Sequence, residues 1–318
     1  MALKIPERTI ALQGLRFLFI TDIVFGHAGN TFLGGGGAEC SFFFVVSGFL
    51  FTLKPIPYKE YLWQKTKHIY PPYWICLALL FLGFVVKGTW DKLDFGWDFI
   101  PHLLLVQSWI PVTDDWFFKY LGTSWFLSSL LFCYIIAPIL YKIVDSYKKW
   151  LYLQILLTCT IICFILENSS AYASWLTYAS PIVRCFEFLL GMQVKMLLKD
   201  VPYKEYRFAF LTPILLIAYI AILRYTHWGY HYSFIHAFVI GWLWMFRSRI
   251  TNVVCGNSVI LRLANASIYI YLIQMPILRA LGQNILSAII TIVIGYIFYE
   301  IYRYVESRVH YIKNVMSR

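Results

Sequence analysis

The sequence predicts an all-α, polytopic membrane protein of about ten transmembrane helices, with both termini in the cytoplasm. Three observations lead to this prediction: the composition, the repeated apolar segments and the distribution of positive charge. Of the 318 residues, 60% are hydrophobic and 14% are charged, and the mean hydropathy is +0.66. Soluble domains carry about 25% charged residues, and a water-soluble chain of this length cannot bury so much apolar surface in one core.

Apolar segments recur along the chain, and a helix needs about 20 such residues to cross a bilayer. The predicted spans are 10–28, 40–54, 70–87, 121–142, 150–166, 181–198, 208–224, 232–246, 259–280 and 283–303. The segment 99–110 is too short to cross, so we expect an interfacial or re-entrant helix there. No cleavage site follows the first apolar segment, which is expected to remain as a span. Residues 1–318 are therefore treated as one integral membrane domain.

Positive charge is distributed unevenly between the two sides of these spans. With alternating spans and a cytoplasmic N-terminus, 20 of the 27 lysines and arginines fall on the cytoplasmic side. This excess has the direction of the positive-inside rule. We interpret the net charge of +11 as loops that face anionic membrane lipids, with no nucleic acid as a partner. The seven cysteines form no CxxC pair and no Cys/His cluster, so we expect no metal site.

The first span carries two polar residues that are candidates for chemistry, since a charge inside a span marks function by default. Arg16 and His27 differ by only ~20° around a helix and by ~16 Å along it, Arg16 being nearer the cytoplasm. Asp22 lies roughly 140° from His27 and is a poor partner for it. The residues alone leave a plainer alternative open, in which His27 sits at the outer interface and Arg16 extends towards water.

Two further segments have both a functional and a structural interpretation. The Ser-Gly step at Ser47 permits close helix approach or passage of a ligand, and helix packing is the plainer explanation. Lys65, Lys67 and His68 precede a helix start with proline in its first turn. Cations at a pore mouth suit a nucleotide or pyrophosphate anion, and ordinary anchoring on the cytoplasmic side explains the lysines equally well.

The order of the motifs resembles the acyltransferase-3 family, the membrane O-acyltransferases of bacterial and some eukaryotic cells. Arg16 stands ten intervening residues before His27, and FFVVSG and a basic segment ending in IYPPY follow. Later segments resemble the family's WFLS, R-x-x-E-F-x-x-G, SYSLYLIHxP and R-x-x-E elements, and these begin at Trp125, Arg184, Ser267 and Arg303. The resemblance extends over essentially the whole chain.

The chain also departs from the family pattern. The family commonly has Arg where Lys65 and His68 stand, so the anion contacts differ from the usual ones. It commonly has His where Gln274 stands, so a second catalytic histidine is not expected there. Some members carry a fused esterase-like domain outside the cytoplasm, and we expect this chain to be the form without it.

The resemblance implies a membrane-bound O-acyltransferase. The donor would be acetyl-CoA or another cytoplasmic acyl-CoA, with no permanently bound cofactor. The acceptor would be a hydroxyl of an exported or lipid-linked glycan, that is, a saccharide or a glycolipid. The implied location is a bacterial cytoplasmic (inner) membrane.

The resemblance also implies roles for individual residues. His27 would act as the general base on the acceptor or become acylated itself. Arg16 would hold the pantetheine amide or polarise the thioester carbonyl, and Lys65, Lys67 and His68 would meet the nucleotide phosphates. Further candidates for substrate binding are Phe44, Ser47, Tyr73, Trp125, Ser128, Arg184 and Glu187. Arg184 and Glu187 stand at i and i+3, so a mutual ion pair is the plainer explanation for these two.

Two alternatives remain at this point. A carrier or flippase for a lipid-linked sugar would also have many spans and buried charges, although no internal repeat of the kind common in transporters is visible. A non-catalytic relative that only binds acyl groups or lipids is the other alternative, and the presence of both His27 and Arg16 weighs against it.

Overall fold

The computed structural model describes residues 6–89, 95–111, 115–146, 175–204, 209–226 and 232–316. All regular elements in this part of the chain are helices, so the all-α prediction is confirmed. The α-helices are α1 (Ile10–His27), α2 (Gly36–Phe49), α3 (Tyr58–Thr66), α4 (Tyr70–Val86), α5 (Phe99–Leu103), α6 (Trp125–Ser146), α7 (Pro181–Leu198), α8 (Thr212–Tyr225), α9 (Ser233–Met245), α10 (Arg249–Cys255), α11 (Ser258–Asn265), α12 (Ser267–Leu281) and α13 (Ile285–Met316).

Several of these helices have the length and composition of membrane spans. In the described part of the chain, those long enough to cross alone are Glu7–His27, Tyr58–Val86, Gly122–Asp145 and Ile285–Val309. Shorter apolar helices are Gly36–Phe49, Ala209–Tyr225 and Ser233–Met245. The protein is therefore an integral membrane protein. The number of ten spans stays a prediction, and the predicted span 150–166 lies outside the described residues.

Two predicted segments take a different form from a straight span. The segment 259–280 is divided between α11 and α12, which meet at 67°, so the predicted span is bent and is not one straight helix. Arg262 and Ser267 flank this bend, and the long apolar window had averaged over their polar side chains. The segment 99–110 does not cross: it forms α5 and a 3₁₀ turn, with His102 and Gln107 fully buried in the protein.

Helix α1 lies at the centre of the described bundle. It contacts α2 on one side and α10, α11, α12 and α13 on the others. Leu12, Phe19 and Val24 have no exposed surface, as expected for a helix surrounded by other helices. Arg16 and His27 are thus carried by a helix that faces protein and not lipid.

Helices α2 and α7 cross at unusually short range because a glycine of each lies at the crossing. A Cβ atom on Gly48 would overlap the carbonyl of Phe188, and one on Gly191 would overlap the carbonyl of Val45. The packing explanation for the Ser-Gly step is therefore correct for the glycine. Close approach of this kind is typical of small residues at helix interfaces in membranes.

Polar contacts between distant segments gather at two ends of the bundle. At one end Arg8 donates to the carbonyl of Trp244 at 2.8 Å, and Lys67 pairs with Glu306 at 3.2 Å. At the other end Lys87 donates to the carbonyl of Arg279 at 2.7 Å, and Arg224 to that of Thr31 at 3.2 Å. Each contact joins two segments that the charge pattern assigns to the same side of the membrane.

Candidate active site

A cavity of about 320 Å³ lies between α1, α2, α6 and α12, with α3 contributing one residue. Its walls are mainly apolar. The polar residues in the lining are Arg16, Ser47, Lys65, Tyr134, Ser267 and Tyr271. Both of its charged groups are cations, so the cavity suits a ligand with an anionic group and a polar carbonyl attached to an apolar chain.

The guanidinium of Arg16 is held by neutral partners. It donates to Gln13 Oε1 at 2.9 Å and to Ser267 Oγ at 3.1 Å. No described carboxylate pairs with Arg16, so its positive charge is oriented but not neutralised. Ser267 occupies this position because the chain bends just before it, at the start of α12.

Lys65 reaches the same cavity from α3. Its Nζ lies 4.6 Å from the centroid of the Tyr134 ring, within the range of a cation–π interaction. Tyr134 and Ser47 also line the cavity. The structure thus brings Arg16, Ser47 and Lys65 together, as candidates for one binding site.

Sequence reasoning missed three of the polar lining residues, Tyr134, Ser267 and Tyr271. Tyr134 lies inside an apolar span of a protein with 24 tyrosines, so its sequence context gives no signal. Ser267 and Tyr271 belong to a segment that was noticed only for its resemblance to the family. Their position in the cavity lining depends on the bend between α11 and α12, which sets the direction of α12.

His27 does not line the cavity. Ile23, one helical turn earlier on α1, is a lining residue, which leaves about 6 Å along the helix between the two positions. His27 Nδ1 lies 3.1 Å from Gln274 Oε1 of α12. Arg16 and His27 therefore both contact α12, which confirms that they share one face of α1.

Asp22 is buried on another face of α1, as its angular position predicts. It accepts hydrogen bonds from the backbone N–H groups of Phe32 and Leu33, at 2.7 and 3.1 Å. These bonds hold the turn that connects α1 to α2. Asp22 acts as an anchor for that connection and not as a partner of His27.

Lys67 and His68 contact the C-terminal helix, α13. Glu306 of α13 lies 3.2 Å from Lys67 Nζ and 3.8 Å from His68 Nδ1. Tyr302 donates to the carbonyl of Lys67 at 2.9 Å. The closing R-x-x-E segment thus holds the basic segment against α13, and Lys65 alone of the three basic candidates lines the cavity.

Tyr73 and Ser128 lie outside the cavity lining and hold the segment 99–110. Tyr73 donates to the carbonyl of His102 at 2.6 Å, and Ser128 Oγ accepts from the backbone N–H of Ser108 at 3.2 Å. Burial lowers the pKa of His102, so its ring is neutral at pH 7. Its Nδ1 lies 2.8 Å from the carbonyl of Asp98.

Arg184, Glu187, Phe44 and Trp125 form a closed cluster apart from the cavity. Arg184 is 1% exposed and pairs with Glu187 at 2.9 Å. The guanidinium lies 5.6 Å from the Phe44 ring and 5.5 Å from the Trp125 ring. Ser41 donates to the second carboxylate oxygen of Glu187 at 2.5 Å. The plainer interpretation of Arg184 and Glu187, a mutual ion pair, is confirmed.

In the described part of the chain, no group of three or more His, Cys, Asp or Glu residues has the arrangement of a metal site.

The fold and the cavity define a helical integral membrane protein with a mainly apolar cavity that two cationic side chains line. The family model Acyl_transf_3, an acyltransferase domain, matches residues 9–301. The chain therefore belongs to the acyltransferase-3 family and is a membrane acyltransferase, as the resemblance of its motifs implied. Comparisons with curated proteins and with solved structures gave no match.

Proposed function

We propose that the protein transfers an acyl group, acetyl in the first instance, from acyl-CoA to a hydroxyl of an exported or lipid-linked glycan. The observation that carries this proposal is the arrangement along α1. Arg16 and Lys65 share a mainly apolar cavity, and that cavity extends to within one helical turn of the only imidazole on the same helix. Membership of an acyltransferase family favours a transferase over a carrier or flippase.

The donor is assigned to the cavity on chemical grounds. Lys65 is placed to meet a phosphate of the CoA moiety, because its ammonium lies in the lining and no described carboxylate pairs with it. Arg16 meets either an amide of the pantetheine arm or the thioester carbonyl, through N–H groups that are already oriented by Gln13 and Ser267. The apolar walls accommodate the alkyl portions of the arm.

His27 is assigned the proton transfer. As general base, its unprotonated ring nitrogen takes the proton of the acceptor hydroxyl while that oxygen attacks the thioester carbonyl. The C–S bond then breaks, and the imidazolium returns the proton to the departing CoA thiolate. In the alternative route, the same nitrogen attacks the thioester carbonyl, the C–S bond breaks and CoA leaves as its thiolate. The acceptor hydroxyl then attacks the acyl-imidazolium, the C–N bond breaks, and the hydroxyl proton passes to the released imidazole and from it to the thiolate.

The proposed orientation places both termini, Lys65 and the acyl-CoA in the cytoplasm of a bacterial inner membrane, with His27 towards the outside. The excess of lysine and arginine on one side supports this orientation. So do the contacts at the two ends of the bundle, each of which joins segments assigned to one side. The glycan acceptor would then approach His27 from the outer side, opposite the donor.

The test is the transfer of radiolabelled acetyl groups from acetyl-CoA into the glycan fraction of membranes. His27→Ala should lower this transfer by about 10²–10⁴-fold, the range for loss of a general base, at equal levels of folded protein. Thr21→Ala is a matched control on the same helix, since among the described residues the Thr21 hydroxyl bonds only to the carbonyl of Phe17 in α1. It should leave transfer unchanged.

If His27→Ala keeps more than about a tenth of wild-type transfer, well above the general-base range, then His27 is not the catalytic residue. If neither protein consumes acetyl-CoA under any condition that yields folded protein, the transport alternative replaces the proposal.

A further inference from the structure

We propose that Gln274 is a positioning residue, which fixes the tautomer of His27 so that Nε2 is the unprotonated nitrogen. This inference rests on the proposed function, because it concerns the imidazole to which proton transfer is assigned. It is supported by the pair of hydrogen bonds that Gln274 makes, because only one orientation of its side-chain amide satisfies both. Gln274 stands where the family commonly has histidine, so the arrangement belongs to this chain.

The orientation of the Gln274 amide follows from its partners. Gln274 is fully buried, and its Nε2 lies 2.9 Å from the carbonyl oxygen of Tyr271. A carbonyl oxygen only accepts hydrogen bonds, so the amide group on that side must be the NH₂ donor. A flipped amide would place two acceptor oxygens against each other. Oε1 of Gln274 therefore faces His27.

The tautomer of His27 follows in turn. Gln274 Oε1 only accepts, and it lies 3.1 Å from His27 Nδ1. The neutral ring must therefore carry its proton on Nδ1, which leaves the lone pair on Nε2.

A fixed tautomer matters for either catalytic route. The nitrogen that takes the acceptor proton, or that attacks the thioester, must have a free lone pair at the moment of reaction. An imidazole that exchanged tautomers would present N–H at that position for part of the time. Gln274 is neutral, so it supplies orientation without the charge that a carboxylate would add to a protonated ring.

The experiment compares two substitutions of Gln274. Gln274→Met keeps the length of the side chain and removes its acceptor, while Gln274→Glu keeps the acceptor. Gln274→Met should lower kcat for acetyl transfer by about 10–100-fold, as for other partners that orient a functional histidine, with an unchanged KM for acetyl-CoA. Gln274→Glu should restore most of kcat. Loss of kcat in both variants, or in neither, would overturn the positioning role.

Nitrogen NMR of purified protein with isotope-labelled histidine provides a readout that does not depend on activity. The His27 signals are assigned by their loss in His27→Ala. Wild-type protein should show a protonated Nδ1 and a bare Nε2, and Gln274→Met should show a mixture of tautomers. A protonated Nε2 in the wild type would overturn the inference even if Gln274→Met failed to fold. If His27→Ala stayed active, the proposed function would fail, whereas the tautomer would still be decided by NMR.

Discussion

Arg16 and Arg184 lie on helices α1 and α7, within two of the predicted spans, and their surroundings are opposite. Arg184 is enclosed by aromatic rings and neutralised by Glu187 at 2.9 Å. Arg16 is held by the neutral groups of Gln13 and Ser267, and it faces a cavity. A buried arginine next to a carboxylate, like Arg184, stabilises the packing of helices. A buried arginine that lines a cavity, like Arg16, is available to contact a ligand.

The largest expected effect comes from breaking the closed pair. Glu187→Gln leaves a buried guanidinium without a countercharge, which should lower the free energy of unfolding by about 3–5 kcal/mol. Chemical or thermal unfolding in detergent measures this change. The double variant Arg184→Met/Glu187→Met removes both charges and should recover most of the lost stability, because apolar replacement of a buried pair is often neutral. If the Glu187→Gln protein were as stable as the wild type but inactive, Arg184 and Glu187 would have to be assigned to the active site.

The open arginine should behave in the opposite way. Arg16→Ala should lower acetyl transfer by about 10²–10³-fold, the effect of losing one donor to a reacting carbonyl, while the protein unfolds at the wild-type denaturant concentration. Arg16→Lys should restore activity only in part, since an ammonium cannot reproduce the planar donor pair. Transfer assays and unfolding curves on the same preparations separate the two effects. Loss of stability comparable with that of Glu187→Gln would make Arg16 a structural residue.

The smallest effects should distinguish two neighbouring lysines. Lys65→Gln should raise the KM for acetyl-CoA about tenfold at low salt, equivalent to ~1.4 kcal/mol, and should weaken its dependence on ionic strength. Lys67→Gln is the matched control, because Lys67 pairs with Glu306 in a half-exposed site. Exposed pairs contribute about 0–1 kcal/mol, so KM should stay close to the wild-type value. An equal rise in KM in both variants would show that Lys67 also contributes to acetyl-CoA binding.

The sequence predicted the parts of the site that depend on one helix. The shared face of Arg16 and His27, and the different face of Asp22, follow from helical geometry within α1 alone. The separation of Lys65 from Lys67 and His68 could not be predicted, because it depends on Glu306 of α13, far along the chain. The enclosure of Arg184 likewise depends on rings of α2 and α6. The bend at Ala266, which brings Ser267 to Arg16, could not be predicted, because the polar residues beside it, Arg262 and Ser267, lie within a long and mainly apolar segment.

The glycine crossing of α2 and α7 also has a consequence for biosynthesis. With 14 residues, α2 is about 21 Å long, which is shorter than the ~30 Å hydrocarbon core. Its small-residue face packs directly against the backbone of α7. Gly191 is synthesised 143 residues after Gly48, a delay on the order of ten seconds at cellular rates of translation. During that interval α2 has no α7 to cover its small-residue face. The insertion machinery, or the neighbouring helix α1, must accompany it until α7 arrives.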